Sequence, residues 1–147
     1  MKTCQFASIY LLVLLFHTQL ATAQSKSKIY GAWYNTEETA QIEIMESKGT
    51  LLGKIVWLKN EDPEQEVFLD VVNRDSSLRD RPLMGLTILE GLSYHKGVWK
   101  GGKIYDPESG LTYSCELQLM KKDLLEVRGF LGDSWVKKTV EWHKVKD

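Results

Sequence analysis

Cysteine is nearly absent from this chain. Two occur in 147 residues, Cys4 and Cys115. Cys4 lies in a leader-like stretch, so Cys115 stands alone and an intramolecular disulfide is excluded. The core has to hold the fold without a staple. Histidine is scarce too: beyond the leader only His95 and His143 occur, too few and too distant for a metal set of recognisable spacing. Neither sign of charge dominates, with 19 Lys and Arg against 20 Asp and Glu. The basic residues are scattered and no basic block faces a row of aromatics, so nucleic acid is not an expected partner. Ser76-Ser77 has no G-x-S-x-G context. Gly101-Gly102 falls within strand territory rather than opening a helix, which excludes a phosphate-binding loop. No catalytic or metal residue is assigned, and no cofactor is expected.

What is present begins with a leader pattern. Lys2 supplies a positive start, Phe6 to Phe16 is an apolar run, and Ala21-Thr22-Ala23 has the small residues of a cleavage site. That three-part layout predicts a secretory signal peptide over residues 1–23 and an exported, periplasmic or secreted, domain over 24–147. The run is short of the roughly 20 apolar residues of a spanning helix. No second run is longer, so no integral span is expected once the leader is gone. Cys4 precedes the apolar run, which argues against a lipoprotein.

Residues 24–147 are enough for one domain. After a polar lead-in, Gln24 to Lys28, they alternate apolar and polar side chains with period two. Strands are predicted over 29–35, 39–47, 50–59, 83–92, 98–105, 111–120, 124–131 and 135–145. Leu51, Gly53, Ile55 and Trp57 are expected on one face of the third. In the fourth, Leu86, Ile88 and Leu92 are set opposite Leu89. Tyr113, Cys115, Leu117 and Leu119 share a face of the sixth. About eight short strands with mostly short connections predict an all-β fold, a single antiparallel up-and-down β-barrel. Eight strands enclose a space that side chains fill or one small ligand occupies. The stretch from Asn60 to Pro82 interrupts the rhythm. It is expected to hold a short strand or helical turn and to cover one end of the fold.

Candidate chemistry is sparse. Arg79 and Arg81, two apart in an extended segment, can point the same way and suit a carboxylate or phosphate. The bland alternative is a structural pair bonded to Asp70, Asp75, Asp80 or loop carbonyls. Asp106 and Glu108 belong to Asp106-Pro107-Glu108-Ser109-Gly110, whose residues are those of a tight turn. Two acids within one turn do not face across a cleft as a glycosidase pair does. Cys115, alternating with Leu117 and Leu119, reads as a small buried hydrophobe. Trp57, Trp99, Tyr105 and Tyr113 are the aromatics assigned to a pocket wall, with core filling as the alternative.

Four segments together resemble a known family: Gly31-Ala32-Trp33, Gly53 to Leu58, Leu78 to Leu86, and Gly101 to Tyr113, followed by Arg128-Gly129-Phe130. The combination resembles the bacterial secreted family catalogued as domain of unknown function 2147, which implies a lipocalin-like (calycin) barrel exported to the periplasm. Gly31-x-Trp33 is also similar to the lipocalin signature. That likeness implies that Trp33 plugs the closed end of the barrel and that Arg128 lies across it. The other lipocalin motifs are not recognisable. The expected function is an exported barrel that binds a small apolar or amphipathic ligand, its apolar part inside and an anionic head near Arg79 and Arg81. The alternative is a non-catalytic interaction module of the cell envelope with a filled core, using residues 60–82 as its contact surface. An enzyme is a third reading, with Arg79, Arg81, Tyr105 and Asp106 as its best candidates.

Overall fold

The computed structural model describes residues 26–62, 64–65, 67–132 and 137–146. The expected leader, with Cys4, and Trp135 and Val136 of the last predicted strand lie outside the described residues. Eight strands close into one barrel in sequence order: β1 (Gly31–Tyr34), β2 (Ala40–Ser47), β3 (Thr50–Leu58), β4 (Thr87–His95), β5 (Val98–Asp106), β6 (Leu111–Lys121), β7 (Leu124–Phe130) and β8 (Lys137–Lys144). Every pairing is antiparallel, and β8 closes on β1 through Trp33 opposite Lys144 and Tyr34 opposite His143. Closure gives every strand a neighbour on both sides. A one-turn 3-10 helix, Ser76–Leu78, lies inside the long connection between β3 and β4.

Alternation sets what faces inward. Ile42 and Ile44, Leu51 and Ile55, Cys115 and Leu117, and Leu125 and Val127 are all buried, as period two requires. Two strands depart from the simple count. Gln41 pairs with Trp57 while Ile42 pairs with Ile55, so Val56 is an extra residue on β3. That bulge flips Trp57 outward, where 37% of it is exposed and its ring meets Tyr34 edge-on at 6.0 Å; it does not share a face with Ile55 as expected. On β4, Leu51 and Gly53 pair with Leu92 and Leu89, and Lys54 with Thr87. Extra residues between these partners turn Ile88, Leu89 and Leu92 all into the core, so Leu89 is not opposite its neighbours.

One end of the barrel is closed by the lead-in. Ile29 and Trp33 are fully buried there, and the Trp33 indole Nε1 donates to the Ile29 carbonyl at 2.7 Å. Lys26 pairs with Glu46 at 3.1 Å, and the Tyr30 hydroxyl donates to the same carboxylate. The lead-in is therefore tied down at Lys26. Trp33 is the expected plug, but the cation across it is Lys144, whose Nζ stands 4.5 Å from the ring centroid and donates to the Tyr30 carbonyl. Arg128 lies on the outer surface of β7, because Val127 and Gly129 face inward. There it pairs with Glu126 at 2.5 Å and Glu116 at 3.7 Å, and donates to Gln118. The glycine of Gly31-x-Trp33 has a physical reason. Its φ is 109°, and a Cβ there would sit 3.1 Å from Lys144 Nζ, so a side chain would be strained and would crowd the cation.

Candidate functional site

The opposite end is open. A cavity of about 320 Å3 runs from this end into the barrel. Its wall is built from inward positions of the strands: Ile42 on β2, Ile55 on β3, Ile88 on β4, Ile104 on β5, Val127 on β7, and Val140 and Trp142 on β8. Tyr113 joins them from β6, and its hydroxyl has no hydrogen-bond partner among the described residues. Around the mouth stand Asn35 to Glu37 and Thr39 of the β1–β2 turn, Lys59, Lys138, and Asp106 to Glu108 of the β5–β6 turn. The site is an apolar well with a polar rim.

Residues 67–70 and 81–84 form a flap over part of the mouth. Leu69 bridges Pro82, the Asp70 amide donates to the Arg81 carbonyl at 3.0 Å, and the Leu83 amide donates to the Phe68 carbonyl at 2.8 Å. Alternation gives the flap two faces. Phe68 and Leu83 face inward and line the cavity, while Val67, Leu69 and Met84 are exposed. The expectation that the Asn60–Pro82 stretch holds short structure and covers one end is realised in the flap and in the 3-10 turn.

A buried carboxylate fastens the flap to the barrel. The Asp70 side chain is fully buried. Its Oδ1 accepts from the Tyr105 hydroxyl at 2.5 Å, and its Oδ2 accepts from Asn73 Nδ2 at 2.7 Å and from Arg81 at 2.8 Å. The Arg81 guanidinium also lies 5.1 Å from the centroid of the Tyr105 ring. Burial, followed by the bond to Asp70, pushes the Tyr105 phenol above its ordinary range, against the pull of Arg81. The β5–β6 turn supports the same segment. Gly110 has φ 67°, and a Cβ on it would fall 2.1 Å from the Val72 carbonyl oxygen; only glycine lets the loop rest there. Asp106 itself is committed to the turn, accepting from the Glu108 amide at 3.0 Å and the Ser109 hydroxyl at 2.8 Å.

Of the residues assigned to a ligand from sequence, the structure brings two to the cavity, Tyr105 and Tyr113. Trp57 is outside the barrel. Trp99 is buried to 1% exposure at the closed end, its ring 4.8 Å from that of Tyr94, and fills core. Arg81 belongs to the Asp70 cluster, and Arg79 donates from Nε to the Asn73 carbonyl at 2.8 Å. The structural pairing with Asp70 and a loop carbonyl is what the two arginines do, and neither borders the cavity. Arg81 instead lines a second, polar cleft of about 550 Å3 between the long connection and the outer surface of β4–β6. Phe68, Leu83 and the fastening role of Asp70 were not assigned to the site. A lone acid within the apolar run Val67 to Val72 was the available signal.

Cys115 is buried at 2% exposure, and burial, with Glu116 beside it, pushes its thiol up to about 12. It is a core residue, inert at neutral pH. Tyr30, also desolvated and bonded to Glu46, is pushed up to about 12. In the unfolded chain the thiol titrates near 9.0 and the phenol near 10.0, so the unfolded state loses these protons first. The stability they contribute is complete below about pH 9 and is lost as pH rises toward 12. Denaturation midpoints are expected to fall along that limb, and Tyr30→Phe is expected to shorten it. A profile flat to pH 11 would contradict the assignment.

The family model described as "Uncharacterized protein conserved in bacteria (DUF2147)" matches residues 31–144. No curated protein matches the chain. Among solved structures, the chain is similar to a Helicobacter pylori protein, HP1028, described as belonging to the lipocalin family. The identity is 22% and the TM-score 0.68, over 81% of this chain and 84% of that one. At that identity the likeness is one of fold: a lipocalin-like eight-stranded barrel.

Proposed function

This chain belongs to the DUF2147 family, and from that premise we propose that its barrel binds one small apolar or single-chain amphipathic molecule, tail inward, through the open end. The observation that carries the reading is the apolar well beneath Phe68 and Leu83. Its volume of about 320 Å3 is at the small end of the roughly 300–1,000 Å3 of ligand pockets, which suits one chain rather than two. An empty apolar volume also counts against the filled core that the interaction-module alternative requires. The Tyr113 hydroxyl, without a partner among the described residues, offers the wall a group for a polar atom part-way along the ligand. A head group would meet Glu37, Glu108 and Lys138 at the rim rather than the arginine pair. The leader-like residues 1–23 support an encounter with the ligand after export.

Methyl-resolved NMR during titration with a single-chain amphiphile such as dodecanol tests the reading. Saturable shifts are expected at Ile42, Ile55 and Val127, which line the well. Shifts confined to surface methyls would refute it.

A further inference from the structure

Lys138 stands where an apolar well has little use for a charge. On β8 it shares a face with Val140 and Trp142, and the three pair with Gly129, Val127 and Leu125 of β7. Leu125, Val127 and Trp142 are buried, so this is the inner face. Lys138, Val140 and Trp142 all line the well. Lys138 is therefore the next wall residue above Val140, about 7 Å nearer the mouth. Its ammonium has no hydrogen-bond or ion-pair partner among the described residues, and neither has the hydroxyl of Tyr113 on β6. Gly129, on the strand between them, lets the two groups share a ligand. A Cβ on Gly129 would stand 3.4 Å from the Tyr113 Cβ. The tyrosine thus lies directly beside the glycine, and no side chain separates phenol from lysine along the wall.

The other charges that line the well are placed differently. Lys59 is paired with Glu61 at 2.7 Å. Asp106 gives both carboxylate oxygens to its own turn. Glu37 and Glu108 belong to the β1–β2 and β5–β6 turns, which flank the β6–β7–β8 wall on either side. Both are exposed, and Glu37 also accepts from Asn35 Nδ2 at 3.4 Å. Glu38, Asp62 and Glu64 do not line the well. Acting through water, Glu37 and Glu108 repel an anion weakly, whereas a donor pair on the wall bonds it directly. They weigh more against a doubly charged head such as a phosphate monoester, which has one ammonium to balance it.

We propose that the amphiphile this well takes is a single-chain carboxylic acid, its ionised head held by Lys138 Nζ and the Tyr113 hydroxyl. This rests on the proposed function and names the head group that it leaves open. A carboxylate brings one charge for one ammonium, and a second oxygen to which the phenol donates. The chain then runs down the wall past Val140 toward Trp142.

Titration with dodecanoate, dodecanol and dodecylammonium, which share one chain, tests it. At about pH 8 the acid is ionised and the amine protonated, and the methyl resonances of the well report the affinity of each. The parent is expected to bind dodecanoate roughly tenfold more tightly than dodecanol, and dodecylammonium least. Lys138→Met should bring the dodecanoate preference to about one. Lys138→Arg should keep it, and Tyr113→Phe should cut it about threefold. Lys103→Met, which removes an equal charge from the outer cleft, should show the parent's preference. No preference in the parent, an unchanged preference in Lys138→Met, or dodecylammonium bound more tightly than dodecanoate would each overturn the proposal and leave the ligand well standing. So would loss of the preference in Lys103→Met, since the carboxylate would then sit outside the barrel. If none of the three compounds moves the methyls, the proposed function itself fails, and the carboxylate assignment with it.

Discussion

Asp70→Ala is expected to cost about 3 kcal/mol of stability, the scale for breaking a buried ion pair, and to lower the melting temperature by roughly 10 °C. The reason is the number of donors that converge on one carboxylate. Tyr105 comes from β5, Asn73 from the long connection and Arg81 from the returning side of the flap. Removing the acceptor leaves the Asn73 amide and the Tyr105 hydroxyl short of a partner in a desolvated place. Arg81, 32% exposed, can turn partly to water, so the cost stays near the low end of the range for buried pairs. Tyr105→Phe removes two bonds, the one donated to Asp70 and the one accepted from Asn73 Nδ2, but leaves Asp70 with its other donors, so it should cost less, about 1–2 kcal/mol. The loss should be greatest at the flap. Hydrogen exchange of the Leu83 and Asp70 amides, which bond across it, is expected to quicken more than that of the strands. A melting temperature within two or three degrees of the parent would show that the flap is fastened by its apolar face instead.

Val140→Trp is expected to lower affinity for dodecanol at least tenfold, about 1.4 kcal/mol, without loss of stability. Val140 is half-buried on β8, pairs with Val127 and lines the well. An indole at that position grows into empty space rather than into packed core. The usual penalty of overpacking is therefore small, and new contacts offset it. If the ligand occupied the outer polar cleft instead, which Val140 does not line, the substitution would leave binding unchanged.

Much of the barrel was legible because strict alternation needs only local information. β6 shows it clearly: Tyr113, Cys115, Leu117 and Leu119 face inward as the period-two pattern requires. The turn from Asp106 to Gly110 was legible for the same reason, since its bonds are made within five residues. What was not legible depends on partners. Trp57 faces out because of a bulge against β2, and no pattern within β3 announces it. Lys144 rather than Arg128 covers Trp33 because β8 closes on β1 at that register. A cation anywhere on the last strand would have looked equivalent from sequence. Gly110 reads as a turn residue, but its contact with Val72 belongs to the docking of a distant segment. For the same reason Asp70, Arg81 and Tyr105 are unremarkable in isolation, and their meaning comes from the fold that gathers them.

Under the proposed function the open half of the barrel is a ligand well and the closed half is solid core. Methyl-resolved NMR with dodecanol separates the halves residue by residue. The account predicts saturating shifts at Ile42, Ile55, Ile88, Val127 and Val140, which line the well. It also predicts near-constant resonances at Ile44, Leu92, Leu117 and Leu125, which are buried but do not line it. Unmoved resonances in the first group at saturating dodecanol, or equal shifts in both, would contradict it.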